Sequence, residues 1–293
     1  MPVRLIPLLL ALAWGLNWPA VKIMLSALPP FVLRGMGLAG GAALLLLLAA
    51  AQGKRVWPQR AAWPGILIGG ALTVAAFNFC TAFAQLSTST SRAAVLTFTT
   101  PMMAALLGWL FLGERPGRRG AVALALGAVG IAVLAWPVLR ATAHGGPLRG
   151  LVLPLLAALA WALGTVAAKR WPPQGDRIVV TAWQLGLGAA TGGVAALVTG
   201  EHLPSIWPTA VVAALAYHVV IATALAYVMW YRMLASASAT AATLAVLAVP
   251  VVGVLGAMAL VGDRPSPSDW LGFALVLAGA ALVALRLGPR PAQ

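Results

Sequence analysis

A chain of 293 residues that is 62% hydrophobic and only 8% charged cannot wet its own surface, since an ordinary soluble domain carries about 25% charged residues. With a mean hydropathy of +0.96, its outer face is expected to meet lipid, which excludes a soluble enzyme or soluble binding module. The net charge of +14 does not read as a nucleic-acid footprint, because most Lys and Arg residues stand in short gaps between apolar runs, where they act as topology determinants.

Along the chain, Met1 to Ala20 begins like a secretory leader, with Arg4 ahead of an apolar stretch. The stretch continues through Trp14, Asn17, Trp18 and Lys22, so it is read as a first spanning helix. Apolar runs separated by turn-forming or basic residues predict ten spans at 5–26, 31–51, 63–85, 92–112, 119–137, 150–171, 177–199, 207–231, 239–261 and 268–286, each near the roughly 20 residues a bilayer requires. The gaps are short: Pro29-Pro30, Gln52-Gly53-Lys54-Arg55, Gly113-Glu114-Arg115-Pro116, Pro172-Pro173 and Gly262-Asp263-Arg264-Pro265. Threading the spans with a cytoplasmic N-terminus puts thirteen Lys and Arg residues on the inner side and six on or near the outer side. That excess predicts both termini in the cytoplasm. Cys80 is alone and inside an apolar run, His144, His202 and His218 are far apart in sequence, and no cofactor, metal or intrachain disulfide is expected.

The chain also contains itself twice. Shifted by 149 positions, Pro101 falls on Pro250, Gly113 on Gly262, Glu114 on Asp263, Arg115 on Arg264, Pro116 on Pro265 and Gly130 on Gly279. Near the start of each copy, Trp14 and Lys22 match Trp161 and Lys169 at a shift of 147. The predicted fold class is therefore an all-α integral membrane protein, ten transmembrane helices arranged as two five-helix repeats, 1–140 and 150–288. Five is odd, so the second copy starts on the opposite side of the membrane and the repeats are inverted. Two copies of one shape in opposite orientations can expose a central site to each side in turn, which is what a carrier needs.

The run AWGLNWPAVK at 13–22, Pro101 ahead of GERP at 113–116, and Pro250 ahead of GDRP at 262–265 resemble the EamA type of the drug/metabolite transporter superfamily, over nearly the whole chain. Within it the chain resembles the branch of bacterial amino-acid exporters, aromatic ones included. The resemblance implies a ten-helix inner-membrane exporter of amino acids and related metabolites. The second copy departs from the first in carrying Asp263 for Glu114 and in lacking the basic pair that follows it, as the positive-inside rule asks of an outward loop.

Polar residues at mid-membrane depth are costly unless they face protein or a watery cavity. Counting inward from the span ends places Trp14, Asn17, Asn78, Thr97, Thr99, Thr100, Trp161, Thr165, Tyr217, His218 and Thr223 near that depth. Trp14, Asn17 and Trp18 share a helix face, and Trp14 and Trp161, on the first helix of each repeat, are expected to flank a central cavity with apolar walls. Asn17, Asn78, Thr97, Thr100, Tyr217 and His218 complete the expected substrate site. The threonines have a second reading, satisfying backbone groups freed by Pro101. Pro101 and Pro250 are expected to kink both helices and to serve as paired hinges. Gly37/Gly41 and Gly188/Gly192 form GxxxG pairs suited to close packing, inside the bundle or in a dimer.

All five acidic residues (Glu114, Asp176, Glu201, Asp263, Asp269) fall in loops or at helix ends. Without a mid-membrane carboxylate, facilitated export down the substrate's gradient is expected. The alternatives are proton-coupled export of other small metabolites or organic-cation drugs, with His218 as the coupling residue, and an intramembrane enzyme, which would need acidic or metal-binding groups at depth. The expected partners are amino-acid substrates and the lipid bilayer; no nucleic acid and no obligatory protein partner is expected.

Overall fold

The computed structural model describes residues 6–113, 117–142, 148–172, 174–230 and 239–284. Among these residues every regular element is helical. In chain order they are α1 (Ile6–Gly15, continued by Asn17–Met24), α2 (Pro30–Ala51), α3 (Arg60–Ser87), α4 (Thr90–Leu112), α5 (Arg118–Thr142), α6 (Arg149–Arg170), α7 (Arg177–Thr199), α8 (Thr209–Trp230), α9 (Ala239–Val261) and α10 (Pro267–Ala284). Seven of them, α2 to α8, are long and apolar enough to cross a membrane; shorter apolar helices lie at Leu8–Met24, Ala248–Val261 and Pro267–Leu282. Of the expected turn signals, Glu114, Arg115, Pro116 and Pro173 lie outside the described residues.

The helix ends are set by the expected punctuation. Pro30 opens α2 behind an extended Pro29, where its missing N–H costs no helical bond. The Glu201 carboxylate then accepts from the Phe31 and Val32 N–H groups at 2.9 and 3.0 Å. Asp176 caps α7 by accepting from Ile178 and Val179, and Ser89 caps α4 by accepting from Arg92 N–H. Gly113 and Gly262, the repeat-related glycines after α4 and α9, have φ of +70° and +71°, the left-handed conformation that ends a helix and that glycine adopts without a Cβ penalty.

Two helix pairs carry the bundle. On α2 and α7, Gly35 lies against Gly192, Leu38 against Gly188 and Gly41 against Leu185. Rising numbers on one helix meet falling numbers on the other, so the pair is antiparallel. On α5 and α10, a Cβ at Gly130 would meet the backbone of Val276 and Gly272, and one at Gly279 would meet the backbone of Gly127 and Ala123. This pair is antiparallel too. A shift of 149 turns Gly130 into Gly279, Ala123 into Gly272 and Gly127 into Val276, so each contact maps onto the other. The GxxxG glycines are used inside the bundle: Gly37 faces His218, Gly41 faces Thr223, Gly188 faces Val74 and Leu38, and Gly192 faces Gly35.

The two prolines expected to act alike do not shape their helices alike. α4 is interrupted at Phe98 and Thr99, just ahead of Pro101, whereas α9 continues as helix through Pro250. Around the break the Thr97, Thr99 and Thr100 hydroxyls donate to the carbonyls of Ala93, Leu96 and Thr97. Of these, only the Thr100 hydroxyl reaches Thr97 O, the carbonyl that the missing Pro101 N–H leaves free, so the second reading of the threonines fits Thr100. A symmetric irregularity occurs elsewhere: α3 and α8 each widen into π-type turns, at Gly70–Ala76 and Tyr217–Leu225, starting 147 positions apart. Such turns open the i→i−4 ladder at mid-helix and are frequent at functional sites.

Candidate functional site

A cavity of about 430 Å³ lies among α3, α6, α7 and α8. The widened turn of α3 supplies Thr73 and Val74, and the preceding turns supply Gly65, Ile68 and Gly69. α6 contributes Trp161, Gly164, Thr165 and Trp171, α7 contributes Thr181 and Gln184, and α8 contributes Tyr227. Glycines at 69 and 164 bring the walls together: a Cβ at Gly164 would meet Thr73, and one at Gly69 would meet Gln184. Gln184 is held by its Nε2 donating to Gly65 O at 3.0 Å. Trp161 stands edge-on to Phe77, their centroids 4.7 Å apart. Among the described residues, the lining contains no carboxylate, Lys, Arg or His. It offers indole and phenol faces with neutral donors and acceptors, and its size falls within the range of about 300–1,000 Å³ usual for small-molecule sites.

Of the residues expected from sequence, Trp161 lines this cavity, as does Thr165. Trp14 stands one layer behind it: its ring packs on Tyr227 at 6.2 Å and Trp230 at 5.8 Å, and its Nε1 donates to Ala222 O. Tyr217 reaches from α8 to the Leu12 and Ala13 carbonyls of α1. Trp18 is buried against Ala84, Ala93 and Ala94. Asn17 meets His218 Nδ1 at 2.7 Å. Asn78 donates to Val74 O on its own helix, and Thr100 reaches Ala158 O of α6 at 3.5 Å.

The two ends of the bundle differ. At the end carrying the α2–α3 and α6–α7 connections, the cavity reaches exposed Thr165 and Trp171. Here Lys54 pairs with Asp176 at 2.8 Å. Partial burial pushes the Asp176 carboxyl up, but the Lys54 ammonium and the Val179 and Ile178 N–H groups together hold it below the usual carboxylate range. Trp57, Trp63 and Trp183 stack edge to face beside this pair. The opposite end is packed shut. Asp263 accepts from Ser91 N–H and Oγ at 2.7 and 2.9 Å, and Arg92 is paired with Asp269. The four described carboxylates, Asp176, Glu201, Asp263 and Asp269, all sit at helix ends in these contacts. Among the described residues, the cavity thus reaches exposed positions at the first end, while carboxylate contacts tie α4 to the α9–α10 region at the second.

The model of the EamA-like transporter family matches residues 3–136 and matches again at 148–285. The chain belongs to the EamA-like transporter family. Two relatives place this EamA-family chain among membrane transporters. The uncharacterized transporter YvbV of Bacillus subtilis is 27% identical over 237 residues, covering 79% of this chain and 74% of its own length. The uncharacterized inner membrane transporter YedA of Escherichia coli K12 is 25% identical over 280 residues, covering 94% of this chain and 88% of its own. A solved crystal structure shares the fold, with a TM-score of 0.65 at 23% identity over 97% of this chain and 96% of the other. The EamA-family protein is thus a multi-pass membrane transporter.

Gln184, Thr73, Thr181 and Tyr227 were not among the residues expected from sequence. Gln184 carried a usable signal, a lone amide inside the apolar run of α7. Thr73, Thr181 and Tyr227 did not stand out from other hydroxyl-bearing residues in the spans.

Proposed function

We propose that this EamA-family chain exports neutral and aromatic amino acids and related metabolites across the inner membrane by alternating access. In this reading 1–140 and 150–288 are inverted five-helix halves, and both termini face the cytoplasm. The observation that carries it is the cavity among α3 of the first half and α6 to α8 of the second, open toward one end of the bundle and latched at the other. The antiparallel α2–α7 and α5–α10 pairs, whose members are repeat equivalents, support inversion. If the termini are cytoplasmic, the open end faces inward, as suits an exporter waiting for its load.

The lining supports the substrate class. Indole and phenol faces accept an apolar or aromatic side chain and can attract an α-ammonium by cation–π contact, while Gln184 and the threonines present neutral groups to a zwitterion. That no carboxylate lines the cavity among the described residues supports movement down the substrate's own gradient. Purified protein in liposomes, preloaded with one unlabelled amino acid and offered the same compound labelled, is expected to show saturable counterflow. A panel of all amino acids should rank aromatic and neutral ones first. Absence of counterflow for the entire panel would reject the substrate class.

A further inference from the structure

Beyond the cavity, a polar stripe climbs α3 toward the sealed end. From Thr73 on the cavity wall it continues through Asn78, Thr81 and Gln85 at spacings of three to five residues, which keeps them on adjoining faces. It ends at Arg34 of α2, whose Nη2 donates to Thr81 Oγ1 at 2.9 Å. Arg34 is 3% exposed, yet it has no carboxylate partner among the described residues, and its Nε has no partner at all. Glu201, which follows α7, is engaged with the Phe31 and Val32 N–H groups at the start of α2 instead. Two further buried side-chain nitrogens have no partner: Nε2 of Gln85, 0% exposed and one turn along α3 from Thr81, and Nε2 of His218, 3% exposed, which lies against Gly37 one turn along α2 from Arg34 and, with Nδ1–H donating to Asn17 Oδ1, is an acceptor. Lys22 adds a second cation by donating to Gln85 O.

An uncompensated guanidinium in an apolar bundle is expensive. Two buried donors, Arg34 Nε and Gln85 Nε2, are left unused. A group that accepts several hydrogen bonds and carries a negative charge would satisfy them together. We propose that Arg34, with Gln85 one turn along α3 from its partner Thr81, is the recognition site for the carboxylate of the transported solute, engaged as the sealed end opens and the solute moves up α3 from the cavity. The planar fork of Arg34 suits a carboxylate, which it can bind with two parallel hydrogen bonds. This inference rests on the export reading above and narrows it: the cargo must carry a carboxylate, and a neutral or purely cationic solute lacks the group that the sealed end is built to receive.

The test compares each accepted amino acid with its carboxamide in counterflow. The unaltered protein is expected to favour the acid by roughly thirtyfold or more, the size of losing one partner of a buried charge pair. Arg34→Gln should remove that preference while still moving the amide, and Arg34→Lys should keep part of it. Equal transport of acid and amide by the unaltered protein, or an unchanged preference in Arg34→Gln, would overturn the proposal while leaving amino-acid export standing. Failure of both compounds in the unaltered protein would instead fell the export reading. Should Arg34→Gln not reach the membrane, thermal unfolding of the unaltered protein in detergent decides: the acid should raise the midpoint and the amide should not, and equal shifts would refute the site.

Discussion

Thr165→Trp is expected to lower transport by at least about tenfold while leaving the protein folded, because it fills a small-molecule cavity from its own wall. Thr165 is exposed on α6 and lines the cavity, and its hydroxyl donates only to Trp161 O of the same helix, at 2.9 Å. Replacing it therefore leaves no interhelical hydrogen bond broken and displaces no packed neighbour. From this wall position the indole can fill the space the solute would occupy. Thr165→Ser, which keeps the hydroxyl and adds no volume, should transport within about twofold of the unaltered protein, since the size of the cavity is preserved. A folded Thr165→Trp protein with normal counterflow would show that the solute travels elsewhere.

The second large effect is on assembly. A Cβ at Gly192 would stand 2.9 Å from Gly35 Cα, 3.0 Å from Gly35 N and 3.2 Å from Phe31 O. All three are backbone atoms, so no side chain can turn aside and α2 and α7 must separate. Gly192→Ala is expected to cost about 1–3 kcal/mol, the usual range for overpacking, and Gly192→Leu considerably more. Next to it, a Cβ at Gly193 meets nothing within 4 Å. Gly193→Ala should therefore be neutral or slightly stabilising, by roughly 0.5 kcal/mol, because alanine gives up less backbone entropy in a helix. Thermal unfolding in detergent checks the pair. Equal midpoints for Gly192→Ala and Gly193→Ala would mean that the α2–α7 contact does not hold the bundle together.

Much of the helix pattern was legible in the sequence because its punctuation is strong. Pro30, Asp176, Gly113, Gly200 and Gly262 each end or begin a helix through a local conformational rule, and local rules need no knowledge of neighbours. The family could be read from the same turns and their spacing. The site was less legible. Trp14 and Trp161 are equivalent in sequence, yet only Trp161 faces the cavity; Trp14 is turned onto Tyr227 and Trp230. A repeat makes the two halves alike in sequence, whereas a carrier caught in one state must make them unlike in space. Pro101 and Pro250 teach the same lesson: the break ahead of Pro101 has no counterpart in α9. The π-type turn of α3 begins at the Gly69-Gly70 pair, whereas no breaker residue announces that of α8. Asn17 and His218 were each visible as costly groups at depth, but their pairing across 201 positions is a property of the fold.

The account depends most on a cavity that is open to one side of the membrane at a time. With Cys80 replaced by serine, a single cysteine at position 165 should react with a membrane-impermeant maleimide from the cytoplasmic side only when no solute is present. A single cysteine at position 90, fully buried at the sealed end, should be protected at rest and become reactive from the opposite side during turnover. Reaction of the first from both sides at once, or continued protection of the second while solute is being moved, would contradict alternating access.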